Sequence, residues 1–215
     1  MIQPSILDES HECDCTDRPA VVVNGTGIEF NLNSFAIVCT AGSQPAIVVD
    51  GKSNSILGRQ REQSLGDGNG TKSGIYGCQF TQIRIQLQGF GNHTVQDLAV
   101  GLSDDSIVDQ VGVQIESSGN TLESCDIDIP SSSDLSSDLP VGVRVIGNGN
   151  VLSNNDISAV QTSESYGIYS FGDDCLIIGN TISRGYYGIF LEWGSCKVLE
   201  NYISAQQYAA IEVNG

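Results

Sequence analysis

The residues best suited to chemistry stand at Gly172, Asp173, Asp174 and Cys175. Two carboxylates held close together push one pKa up, which sets an acid beside a base. A second chemistry, proton abstraction beside a uronate, needs a basic group among acids that neutralise the substrate or hold Ca²⁺. Arg144, between Val143 and Val145, is the candidate base. Asp126 with Asp156, and Asp104 with Asp105 and Asp109, are two acid sets that can offer Ca²⁺ oxygen ligands. Ca²⁺ is thus a possible ion, and no cofactor is required by any motif. His11, Cys13 and Cys15 are spaced as His-x-Cys-x-Cys, but four ligands at a recognised spacing are lacking, so no metal site is assigned. His11 and His93 are isolated, and no Ser-His-Asp set is discernible.

The elements that carry these residues come from a repeat. GVQIESSGNTLESCDIDI from Gly112, GVRVIGNGNVLSNNDISA from Gly142, GIYSFGDDCLIIGNTIS from Gly167 and GIFLEWGSCKVLENYIS from Gly188 align glycine under glycine. Cys125, Asn155, Asn180 and Asn201 fall in one column, and Ile127, Ile157, Ile182 and Ile203 in another. The intervals are 30, 25 and 21 residues, and a fifth copy begins at Ala209 or Ala210. Each copy holds short alternating apolar runs broken by Gly, Asn, Asp and Ser, which read as strands joined by tight turns. A propeller blade needs about 40 residues, so coils of short strands fit better. The expected fold is all-β, a single-stranded right-handed parallel β-helix of about eight coils. It is expected as one domain, residues 21–215, truncated or open at its C-terminal end, after a Cys-containing N-terminal cap at residues 1–20. Residues 130–140 and a stretch from Gly58 break the rhythm as loops.

Coils stack at about the 4.8 Å spacing of paired strands, so equivalent residues lie above one another. Asn155, Asn180 and Asn201 are therefore expected to bond as a ladder inside a bend, and Cys125 to start that column as a small buried substitute. Cys175 and Cys196 align one coil apart, within disulfide reach; they are either bridged or two stacked thiols. Cys13 and Cys15 can pair with each other or with Cys39. The repeat also places Asp173 and Asp174 in a turn, where an Asp bonds the local backbone. Arg144 points outward, as does a strip of rings. Nine of the fourteen aromatics follow residue 165, including Tyr169, Phe171, Tyr186, Tyr187, Phe190 and Trp193. Ile168, Ile189 and Leu191 point inward by alternation, which leaves Tyr169, Phe171, Phe190 and Trp193 outside. Such a strip suits sugar stacking or a protein interface.

The formal charge is −17, from 26 acids against nine Lys and Arg. That disfavours nucleic acid and anionic membrane, whose phosphates would be repelled. No apolar run has transmembrane length. The start carries no signal-peptide core, while seven Cys and sequons at Asn24, Asn69 and Asn92 suit a secreted chain. The chain stops within a coil at Asn214 and Gly215, so it is truncated, covered by a partner, or stacked end to end.

The columns resemble the pectin-lyase-like superfamily, in particular the repeat of copper-processing periplasmic proteins. The resemblance covers nearly the whole chain and implies the β-helix fold. It implies polysaccharide as the usual partner, since members include lyases, polygalacturonases, epimerases, tailspikes and adhesins. Gly172–Cys175 is similar to the Gly-Asp-Asp-Cys motif of polygalacturonases. The rest of that pattern fails: no Asn-Thr-Asp precedes it near residues 145–150, no Gly-His-Gly follows near 186–188, and no Arg-Ile-Lys follows at all. The expectation is an extracellular or cell-surface module for structural assembly, polysaccharide binding or both, with no catalysis identified. The alternative is a lyase, epimerase or glycoside hydrolase on acidic glycans, using Asp173, Asp174 or Arg144.

Overall fold

The computed structural model describes residues 5–6, 11–33, 36–41, 44–58, 74–76, 83–101, 111–129, 140–159 and 164–215. Every regular element in them is a strand. The strands form three parallel sheets of eight, and each sheet takes every third strand of the chain. The first sheet runs from Ser5–Ile6 to Lys197–Leu199, the second from His11–Asp14 to Tyr202–Ser204, and the third from Val21–Thr26 to Ala209–Asn214. This is a parallel β-helix, as the repeat predicts. Strands Ser5–Ile6 and His11–Asp14, in the segment expected as a cap, already pair in parallel with Glu29–Asn31 and Ala36–Ala41. The loop at 130–139 and the excursion at 59–73 lie outside the described residues.

Stacking in register makes the core. Ile127, Ile157, Ile182 and Ile203 are successive partners on the second sheet. Leu122, Leu152, Ile177 and Val198 do the same on the first, and Val113, Val143, Ile168 and Ile189 on the third. Except for the half-buried Val198 and Ile203, these side chains are buried in one continuous cluster. The glycine column has its cause in the same stacking. A Cβ on Gly167 would fall 2.5 Å from Ile182 Cγ2 and 2.6 Å from the carbonyl oxygen of Gly188 in the next coil. Such contacts would force the coils apart.

Side chains close the corners. At the corner before the second sheet, Asn155 Nδ2 donates to Asn180 Oδ1 at 2.9 Å, and Asn180 Nδ2 to Asn201 Oδ1 at 2.9 Å. Each Oδ1 also accepts the backbone N–H of the coil before it: Cys125 to Asn155, Asn155 to Asn180 and Asn180 to Asn201. Each Nδ2 reaches back to a strand carbonyl, Leu122, Leu152 and Ile177 in turn. Cys125 is fully buried at the head of this column, as expected. A second ladder, not anticipated from the repeat, fills the corner before the first sheet. It runs through Asn54, His93, Asn120 and Asn150. The N–H of Ile28 donates to Asn54 Oδ1, that of Asn54 to His93 Nδ1, that of His93 to Asn120 Oδ1 and that of Asn120 to Asn150 Oδ1. His93 Nε2 lies 2.8 Å from the Gln88 carbonyl, so a neutral ring protonated at Nε2 satisfies both nitrogens.

Replacing Asn180 with Ala would strand buried donors and acceptors on both adjacent coils. Each such group costs about 1–3 kcal/mol. The variant is expected to lose about 2–4 kcal/mol in urea unfolding. Asn180→Asp, which keeps the acceptor and loses the donors, is expected to lose at least as much. Wild-type stability in both variants would contradict the ladder.

Candidate functional site

Asp173 and Asp174 sit in the turn after the third-sheet strand Tyr166–Ser170, and both are exposed. The turn is itself stacked. Ser118 Oγ accepts from the N–H of Asn148, Asn148 Oδ1 from that of Asp173 at 2.9 Å, and Asp173 Oδ1 from that of Ser195 at 3.3 Å. Asp174 adopts a left-handed φ of 55°, which suits Asp, and its Oδ1 accepts from Ser195 Oγ at 3.4 Å. Both carboxylates thus order the bend.

Arg144 lies on the outer face of the third sheet, within a strand rather than in that turn. Its register partners are Gln114 in one neighbouring coil and Tyr169 in the other. The same outward row continues through Phe190 to Glu212. The structure therefore groups Arg144 with the aromatics, and Asp173 and Asp174 with Asn148 and Ser195.

The outer face of the third sheet carries a dense set of aromatic contacts among the described residues. A second row, Val111, Val141, Tyr166 and Tyr187, lies beside the first. Val111, Val141, Tyr166 and Phe190, with Tyr169 and Tyr187 against them, form an apolar cluster separate from the core. Tyr166 stacks on Tyr169 with ring centroids 4.7 Å apart and on Tyr187 at 5.2 Å. Phe190 meets Tyr166, Tyr169 and Tyr187 edge-on at 5.2–5.4 Å. Phe171 leans on Tyr169 at 4.4 Å, and Tyr186 stacks on Tyr208 at 5.1 Å. Tyr169, Phe171 and Phe190 alternate with the core residues Ile168 and Ile189, and the strip they join is graded. Tyr166 and Phe190 are only 8% and 9% exposed, whereas Phe171 is 37%, Tyr208 62% and Trp193 71%. Its centre is packed and its rim presents rings to solvent.

Glu192 ties the rim together. It accepts from the Tyr169 hydroxyl and from Trp193 Nε1 at 3.2 Å. Burial, then the bond to Glu192, pushes the Tyr169 hydroxyl above the ordinary tyrosine range, against the opposing charge of Arg144. Burial raises Tyr166 and Tyr187 as well. The Tyr169 hydroxyl gives its proton to the bond with Glu192.

Cys175 and Cys196 extend the second ladder beyond Asn150. Sulfur replaces the amide oxygen there, and Cys175 takes the N–H of Asn150. Cys175 is buried, Cys196 half-buried, and Ser170 Oγ lies 3.6 Å from Cys196 Sγ. The bond to Cys196, together with burial, pushes the Cys175 thiol up, while the same bond and Ser170 draw Cys196 down against the effect of burial.

The remaining expectations are dispersed. Asp126 and Asp156 are register partners, as predicted, while Asp104, Asp105 and Asp109 lie outside the described residues. Asp128 pairs with Arg184 at 2.9 Å. Among the described residues no group of three or more His, Cys, Asp or Glu is placed to hold a metal ion. Asn24 is on an exposed strand position and Asn92 in an exposed turn, and Asn69 lies outside the described residues. No helix among the described residues is long and apolar enough to cross a membrane. Comparison of the chain with protein-family models, with curated proteins and with solved structures finds no match. The β-helix is established by the strand pairing itself.

Asn at 173 and 174 would keep the acceptors that the turn uses. The Asp173→Asn, Asp174→Asn double variant is expected to change stability by no more than about 0.5 kcal/mol. Reducing-end release from pectin and alginate is expected to match that of the unaltered chain. A fall of about a hundredfold or more would make the pair catalytic.

Proposed function

We propose that this chain is a non-catalytic β-helix module that binds polysaccharide at the cell surface or outside the cell. The observation that carries the reading is the graded aromatic face of the third sheet. Packed rings at its centre fix the geometry, and Phe171, Trp193 and Tyr208 offer faces at its rim. Pyranose rings present C–H groups that stack on such faces, and tyrosine and tryptophan add a polar handle. Glu192 supplies an acceptor for a sugar hydroxyl, and Arg144 a donor beside it. Because the rings are held by the sheet, little side-chain freedom is lost on binding.

The charge of −17 bears on which glycan. An anionic chain would approach against the field of the protein, so a neutral polysaccharide fits better. The resemblance to pectin-lyase-like repeats supports a glycan partner at the level of fold only. Self-assembly through the same face is the competing module function.

Affinity electrophoresis in gels containing neutral polysaccharides tests the reading. The unaltered chain is expected to be retarded by at least one neutral glucan, xylan or mannan. Trp193→Ala with Phe171→Ala is expected to weaken that retardation at least tenfold, about 1.4 kcal/mol. Tyr202→Ala, which removes an exposed ring from the second sheet, is expected to leave it unchanged. Retardation by none of them, or equal loss in the Tyr202 variant, would contradict the proposal.

A further inference from the structure

Three cysteines share the interior near the start of the described coil. Cys15 and Cys39 are fully buried, and Cys13 is half-buried against the same core. Strand His11–Asp14 pairs with Ala36–Ala41, and the register jumps between Cys13 and Asp14. Cys13 is the in-register partner of Cys39. The bulge re-aims the chain after it, as bulges do. As a result Cys15, not Cys13, brings its sulfur 2.7 Å from Cys39 Sγ.

That separation is too short for two thiols in ordinary contact. Heavy atoms in nonbonded contact settle at about 3.5–4.0 Å. Two thiols at 2.7 Å would overlap deeply, and S–H is too weak a donor to hold them there.

We propose that Cys15 and Cys39 are joined by a disulfide that ties the first coil to the second. A low-molecular-weight disulfide, RSSR, is the oxidant. One cysteine thiolate attacks RSSR, forming a mixed disulfide and releasing RS⁻. The second cysteine thiolate attacks the protein sulfur of that mixed disulfide and displaces the other RS⁻. The two protons lost by the cysteines end on two RSH, so two thiols and RSSR give one protein disulfide and two RSH. Because both sulfurs are fully buried in the folded chain, the exchange belongs to folding, before the coil closes over them. The bond has structural work at that place: the first coil's opening strand, Ser5–Ile6, is only two residues long.

Peptide mapping tests the proposal directly. The chain, purified without reductant, is alkylated, denatured and cut by a protease specific for the N-terminal side of Asp. Cleavage before Asp14, Asp17 and Asp50 separates Cys13 from Cys15 and leaves Cys39 as the sole cysteine of fragment 17–49. The expected product is fragment 14–16 linked to fragment 17–49, two hydrogens lighter than the separate pair. Alkylated Cys15 and Cys39, or Cys39 linked to any other cysteine, would overturn it. Unfolding in urea with dithiothreitol and refolding in its presence is also expected to lower Tm by about 5–10 °C in the unaltered chain and in Cys175→Ala. That shift should vanish in Cys15→Ala, Cys39→Ala. A shift absent from the unaltered chain, or lost in Cys175→Ala instead, would equally overturn it.

Discussion

The fold depends on one interaction, a corner side chain that accepts the backbone N–H of the coil before it. Strand pairing satisfies the backbone along the flat sheets. At the bends the chain leaves the ladder, and buried N–H groups there would otherwise lack partners. Asn answers this with both halves of its amide. Its oxygen takes the N–H of the preceding coil, and its nitrogen reaches a strand carbonyl and the next Asn. Two such columns, at two corners, hold the coils at one spacing. The stacked Ile and Val columns then follow, since a constant spacing places like residues in contact.

That regularity shapes what the surface can do. A third column of Ser118, Asn148, Asp173 and Ser195 orders an exposed turn, which gives the Asp pair an architectural use. On the third sheet the outward rows change type along the axis. They pass from Gln114 and Arg144 to Tyr169 and Phe190 in one row, and from Val111 and Val141 to Tyr166 and Tyr187 in the other. The same register that builds the core therefore builds a face of rings outside it.

Much of this was legible in the sequence, and the limits have physical causes. The column Asn155, Asn180 and Asn201 keeps its residue type, so the repeat displays it. The other column runs Asn54, His93, Asn120, Asn150, Cys175 and Cys196. Any group that can accept an N–H serves there, and the change of type hides the ladder. Alternation gave the outward direction of Phe190 but not its burial. Burial depends on Tyr166, Tyr169 and Tyr187 converging from two rows and two coils. The sequence leaves Cys13 and Cys15 free to pair with each other or with Cys39, and the bulge that brings the Cys15 sulfur rather than that of Cys13 near Cys39 has no local pattern to announce it. The aromatic face was foreseen as a strip. Its tie through Glu192 was not, because that residue is paired to Tyr169 only by adjacency of coils.

The central claim is that corner side chains hold the coils in register. Amide hydrogen exchange followed by NMR reads it residue by residue. The N–H groups of Asn120, Asn155 and Asn180 belong to corners yet donate to ladder oxygens. They are expected to be protected as strongly as Ile157 and Ile182 at the centres of strands. Exchange as fast as that of a solvent-exposed turn such as Glu200 would contradict the account.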